Sequence, residues 1–304
     1  MTGDSISIRP ASLERGDDHF VLTAFDSALP YLASIGSGAQ WGSTPFTSKP
    51  AVVKDMHDFL VRSDKIHALE REHQDSQGVD AATAARSVFE AESSRTQKSN
   101  WNKLIVAEEL HPNSDPSSTG QADPIKVRVA GAGLSAHVPD YLVASMSRYF
   151  PTSTTTVTPR QLQDIDTRSR ETVEVRDEDK KRPEGRPFVY INYLISHRDP
   201  LSLADGSSTG STTTTPLSAP DALALSKGAG EALIRHSISQ ARTLGILTVL
   251  VDCWAGNGGG LVRYYERQGF TSLGTFDVPD KHGPNLPWTG MLLRMDLDQF
   301  VNYK

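Results

Sequence analysis

The residues best suited to chemistry lie between positions 226 and 270. Ser226-Lys227-Gly228-Ala229-Gly230-Glu231 opens a helically spaced stretch that stops at Gly245. A glycine turn feeding a helix start presents a row of main-chain N–H groups and the positive end of the helix dipole, which suit phosphate oxygens. Glycine is useful there because a Cβ would block close approach of the backbone. Lys227 either adds a point charge or is a solvated helix-start residue. Further on, Asp252 stands near the end of an apolar strand, on one face with Leu250 and Trp254. Asn257 precedes Gly258-Gly259-Gly260, and Tyr264 and Tyr265 sit on a second short helix. Cys253, the single cysteine, reads as a small buried hydrophobe.

Composition narrows what such a site can belong to. A chain of 304 residues, 37% hydrophobic, can bury a substantial core. One cysteine excludes an internal disulfide and a multi-cysteine metal site, and no metal site is expected. The net charge of −6 and the lack of a basic run argue against nucleic acid. No apolar run is long enough to span a membrane and positions 1–10 carry no signal-peptide pattern, so a reducing, cytoplasmic location is expected.

Hydrophobic periodicity supplies the elements that must position these residues. Ser5 to Arg9 alternates as an opening strand, and Phe20, Val21, Ala24, Phe25, Ala28 and Leu29 form a helical stripe. A turn containing Gln40, Trp41 and Phe46 leads to a second helix from about Pro50, which the polar run 71–80 is expected to break before an alanine-rich helix over 81–92. Segments 101–110 and 125–134 read as paired strands, 140–149 as a short helix and 188–197 as a strong strand. Strands over 246–254, 273–278 and 289–297 close the chain. The fold class is mixed α/β: a mostly antiparallel sheet flanked by helices, with one strand–helix–strand crossover. We expect a single domain over 1–304, with polar insertions near 111–124, 151–187 and 199–220.

The order of elements, and above all positions 225–270, resembles the GNAT superfamily of acyl-CoA-dependent N-acetyltransferases. That family's phosphate loop runs Q/R-x-x-G-x-G/A, then two residues and a leucine. Gly228, Gly230 and Leu233 match it, and Leu225 departs from it at the first position. The family's later asparagine and its helix ending Y-E-K-x-G-F are matched by Asn257 and by Tyr265-Glu266-Arg267-Gln268-Gly269-Phe270.

The resemblance implies acetyl-CoA as co-substrate. The N–H groups of Gly228, Ala229, Gly230 and Glu231, with Lys227, would meet its pyrophosphate. The pantetheine arm would enter a gap between strands 188–197 and 246–254, meeting the backbone of Leu194, Ile195 and Ser196 and the side chain of Asn257, whose other reading is a turn residue. Tyr265 is the implied general acid for the departing thiolate, while Tyr264, one position away, faces elsewhere on the helix. A lysine-like amine has a pKa of about 10.4, so transfer needs a base or a desolvating pocket. Strand 188–197 lacks the glutamate many members carry, which leaves Asp252 as first alternative, with His197, Glu108 and Glu109 behind it. Asp252 also reads as a structural acceptor of backbone hydrogen bonds. Gln40, Trp41 and Phe46 would line the acceptor pocket with Trp288 opposite, or Trp41 and Phe46 would plug the core. The expected function is direct transfer of acetyl from acetyl-CoA to a small primary amine in a ternary complex, by a monomer or homodimer. A protein acceptor and a non-catalytic acyl-CoA sensor are the alternatives.

Overall fold

The structure, a computed structural model, describes residues 6–93, 100–111, 125–149, 187–198, 226–279, 281 and 287–298. The expected insertions 111–124, 151–187 and 199–220 lie outside these residues apart from His111 and Pro187, and Leu225 lies outside them too. In chain order the elements are β1 (Ile6–Pro10), α1 (Asp17–Ser34), α2 (Pro50–Gln77), α3 (Ala81–Ser93), β2 (Asn102–His111) and β3 (Ile125–Ser135). They continue with α4 (Asp140–Tyr149), β4 (Val189–Ser196), α5 (Ala229–Thr243), β5 (Thr248–Trp254), α6 (Gly260–Arg267), β6 (Thr271–Val278) and β7 (Trp288–Asp296). The chain divides into two compact units, Met1–Val138 with Phe188–Lys304, and Pro139–Pro187. In the smaller unit α4 carries Asp140 in its first turn and Arg148 in its last, each complementing the helix dipole.

The larger unit holds one seven-stranded sheet in the order β1-β2-β3-β4-β5-β7-β6. Every pairing is antiparallel except β4 with β5, the strands joined through α5. This is the mixed α/β fold expected from the sequence. Helix α1 and the first half of α2 cover one face, where Phe20, Val21, Ala24, Phe25, Met56 and Leu60 meet Leu104, Val106 and Ile195. Helices α3, α5 and α6 cover the other, where Val88, Phe89, Leu233, Ile234, Val262 and Tyr265 meet Ile105, Val189, Ile191, Val249, Val251 and Cys253. No helix among the described residues is long and apolar enough to cross a membrane.

The polar run breaks the helix as expected, but only near its end: α2 continues to Gln77 and stops at Gly78, whose left-handed backbone (φ 63°) lets its N–H bond the Gln74 carbonyl, and α3 starts at Ala81. Arg, Glu and Gln in that run are good helix formers, so polarity there marks a solvated face and glycine marks the end.

The feature that makes a site lies in β4. Its register against β3 slips between Gly133, opposite Tyr193, and Leu134, opposite Ile191, so Asn192 is an extra residue without a β3 partner. A bulge of one residue exchanges the faces of everything beyond it. Val189 and Ile191 point into the α5/α6 core, Leu194 packs against that same core, and Tyr193 and Ile195 turn to the α1/α2 side. At this point β5 departs. Its parallel pairing with β4 covers only Val189–Val249, Tyr190–Leu250 and Ile191–Val251, while its pairing with β7 runs on to Trp254 opposite Gly290. Above Ile191 the two central strands part, and among the described residues no strand pairs with 192–196 on that side.

Candidate active site at the parting of two strands

The glycine turn stands over this gap. Gly228 has φ 85°, a conformation that favours glycine, and serves as the N-cap of α5. Its carbonyl accepts the Ala232 N–H at 2.9 Å, and the Ser226 carbonyl accepts the Ala229 N–H at 3.1 Å. The next two N–H groups, of Gly230 and Glu231, have no main-chain partner among the described residues. They form the donor pair that a helix start offers an anion. Glu231 turns its carboxylate to Arg235 at 2.7 Å, one helical turn on, which leaves the N–H side of the turn to a ligand. A Cβ on Gly230 would lie 2.8 Å from the Tyr264 hydroxyl and 3.3 Å from Leu194 Cδ2. The glycine turn, the strand beyond the bulge and helix α6 therefore converge on one spot.

The two tyrosines divide as helix geometry requires. Tyr264 is half-buried with its hydroxyl at Gly230, and burial together with the Glu231 charge raises its pKa. Tyr265 is buried in the core under β5, edge-on to Phe270 with ring centres 5.8 Å apart. Burial first, then Cys253, Tyr264 and Asp252, hold its phenol well above the usual range, so it keeps its proton at every ordinary pH. The Cys253 thiol is pushed up to about 12 by burial and by the charges of Asp252 and Glu266, and a thiol so held is no nucleophile.

The opposite face of β5 carries the acceptor-side residues. Asp252 is the first residue beyond the last β4–β5 pair, and its Oδ1 accepts a short hydrogen bond from the Tyr190 hydroxyl. Gln40 is buried, and its carbonyl accepts the indole N–H of Trp288 at 3.1 Å. Trp288 thus holds the Gln40 turn rather than standing apart from it. Trp41 and Phe46 pack on Phe25, with ring centres 4.9 and 4.8 Å away, and Phe25 in turn meets Tyr193 at 5.7 Å. The Asn257 amide donates to the Ile35 carbonyl at 2.9 Å and to Ser37 Oγ at 2.7 Å. It sits at φ 49° ahead of Gly258 and Gly259, so the turn reading accounts for its backbone and the loop after α1 for its side chain.

Sequence reasoning did not single out Asn192, Tyr190, Lys281 or Asp26. Asn192 donates to Ser135 Oγ at 2.9 Å and fixes the bulge to β3. The Asp26 carboxylate accepts the N–H groups of Phe46 and Thr47 and the Thr47 hydroxyl, at 2.5, 3.2 and 2.5 Å. With Asn257 and Trp288, it holds the 35–47 segment at three places. Asp26 carries one signal, a carboxylate beside an apolar helical stripe. Asn192 and Tyr190 have partners 57 and 62 residues away, and Lys281, though near Trp288 in sequence, stands in a stretch without a periodic pattern.

No family model and no curated protein sequence matches the chain. Solved structures are similar to it in fold. YncA of Salmonella typhimurium, with its cofactor acetyl-CoA, is 14% identical over 99% of both chains with a TM-score of 0.41. An N-acetyltransferase of Staphylococcus aureus Mu50 is 12% identical over 97% of this chain and 99% of its own, with a TM-score of 0.42. A ribosomal-protein-alanine N-acetyltransferase of Brucella melitensis is 13% identical over 96% and 99%, with a TM-score of 0.39. Identity this low carries no residue roles across.

Proposed function

We propose that the larger unit is an acetyl-CoA-dependent N-acetyltransferase acting on a small primary amine by direct transfer. The observation that carries this reading is the meeting of Gly230, Leu194 and Tyr264 where β4 and β5 part. It joins an anion cradle to a slot edged by unpaired strand backbone. The donor set fits the co-substrate: the N–H groups of Gly230 and Glu231 suit its phosphates, and the backbone of Leu194, Ile195 and Ser196 suits an amide-bearing arm. Gly228, Ala229 and Lys227 shape the turn around them. Acetyl-CoA, when bound, supplies the acetyl thioester.

The chain's own groups then have distinct tasks. Asp252, steadied by Tyr190, takes the proton of the attacking amine on the acceptor face. Main-chain N–H groups of 192–196 that face the gap hold the carbonyl oxygen as it gains charge. Tyr265, protonated by its burial, delivers a proton to the leaving sulfur. Cys253 is packed in the core with Val251 and Tyr265 rather than open to the gap, so the reading takes transfer to occur within one ternary complex and not through an acyl-cysteine. Gln40, Trp41, Phe46 and Trp288 bound the acceptor side, and Asn257 holds that wall in place through Ile35 and Ser37.

The test is thiol release from acetyl-CoA across a panel of primary amines with the purified chain. We expect release that depends on both amine and protein, with the N-acetylated amine as product. Thiol release that is indifferent to the amine would contradict the proposal.

A further inference from the structure

One face of the sheet edge holds a cation, Lys281, to which the proposed reaction gives no role. Residues paired across a ladder share a face, as do residues two apart along a strand. By the β5–β7 and β6–β7 registers, Asp252, Trp254, Gly290, Trp288, Phe276 and Val278 all lie on the face turned away from α5 and α6. Two glycines leave room for rings over it, Phe276 and Trp288 standing tilted to each other with centres 6.0 Å apart. A Cβ at Gly290 would meet Phe276 Cζ at 2.3 Å and Trp288 Cζ3 at 2.6 Å, and one at Gly256 would meet Trp254 Cζ2 at 2.1 Å. The result is an aromatic floor with the Asp252 carboxylate on the side nearest the strand gap.

A cation already stands on that floor. Lys281 Nζ lies 3.7 Å from the centre of the Trp288 ring. The ring cannot shift readily, because Trp288 is buried and its indole N–H is tied to the Gln40 carbonyl. Lys281 is an exposed residue whose ammonium end lies against the Trp288 ring. Burial lowers the Lys281 pKa, and the charge of Asp252, on the same face of the sheet, works against that.

We propose that the Trp288 ring face and the Asp252 carboxylate form a seat for an alkylammonium group, and that Lys281 occupies it from within the chain. The Lys281 side chain beyond Cα is itself an n-butylammonium, so the seat fits a primary ammonium on a short unbranched chain. Where the acetyltransferase reading holds, an acceptor of that class binds by displacing Lys281, and this extension rests on that reading.

The experiment uses the full chain with no acetyl-CoA present. Wild type, Lys281→Met and Lys281→Met/Trp288→Leu are titrated calorimetrically with n-butylammonium chloride and, separately, with n-butanol. Lys281→Met keeps the stem and removes the competing charge. It should bind n-butylammonium about tenfold more tightly than wild type. The Trp288→Leu change should abolish that gain, and n-butanol should show no preference among the three. If the leucine variant does not fold, Lys281→Met/Trp288→Phe replaces it and should show an intermediate affinity. No gain in Lys281→Met, or equal binding of n-butanol, overturns the seat. Acetyl-CoA binding, measured separately, keeps the two proposals apart. Acetyl-CoA binding without an ammonium effect removes only the seat, and an ammonium effect without acetyl-CoA binding removes only the acetyltransferase reading.

Discussion

At the scale of single residues, adjacent Tyr264 and Tyr265 show how one residue of helical rotation separates two tasks. Tyr264 sets its hydroxyl at the glycine turn, and Tyr265 sits under β5 beside Cys253 with its phenol held in the protonated form. Tyr265→Phe should lower kcat about a hundredfold while leaving acetyl-CoA affinity unchanged, read by steady-state kinetics beside direct binding. An unchanged kcat would remove Tyr265 from the chemistry. The sequence made both tyrosines visible and put them on different faces. It did not say which face met the glycine turn, because that depends on how α6 sits on β5 and α5. Asn257 shows the same limit more sharply. Its type and its glycine neighbours announce a turn, but its hydrogen-bond partners are Ile35 and Ser37, more than two hundred residues away.

At the scale of elements, the site exists because β4 carries one residue too many. The run Phe188 to His197 is apolar on both faces, so its periodicity gives no hint of an extra residue at Asn192. The bulge is legible only in the register with β3. The strands, their order of appearance and the α5 crossover were legible, since each is a strongly patterned stretch bounded by glycine, proline or polar residues. The other element that matters is the 35–47 segment, which is irregular and keeps its shape through Asp26, Asn257 and Trp288. Asp26→Ala strands the partly buried N–H groups of Phe46 and Thr47. It should destabilise the protein by about 1–2 kcal/mol. On the proposed function it should also raise the acceptor KM and leave acetyl-CoA affinity alone. A rise in both constants would mean that the segment serves the whole site rather than the acceptor wall.

At the scale of the molecule, the entrance to the fold is pinned by a buried ionic network. Asp17, fully buried at the start of α1, accepts Arg9 Nη1 at 2.6 Å, Arg128 Nη1 at 3.2 Å and the Ser12 N–H at 2.8 Å. Arg9 Nε also reaches buried Glu108 at 2.6 Å. This places Glu108, one of the alternative bases, in the network at β1, β2 and α1. Burial by itself would raise the Asp17 carboxyl, but the bonds from Arg9, Ser12 and Arg128 outweigh it and hold the group below its ordinary value of 3.8. A carboxyl depressed in the folded state adds stability above its unfolded pKa and loses it as pH falls through the folded one. Asp17→Asn should therefore cost about 3 kcal/mol at neutral pH by urea unfolding, with the gap from wild type closing below pH of about 3.8. A gap that persists unchanged into acid would assign the loss to packing instead of charge.

The central claim is that the glycine turn over the parted strands receives acetyl-CoA, and calorimetric titration of wild type and Gly230→Ala tests it most directly. The account predicts micromolar binding to wild type. It predicts binding at least about tenfold weaker to Gly230→Ala, because the added Cβ meets Tyr264 and Leu194 and obstructs the approach to the two N–H donors. Wild type that stays silent at millimolar acetyl-CoA, or a Gly230→Ala protein that binds as tightly as wild type, would contradict it.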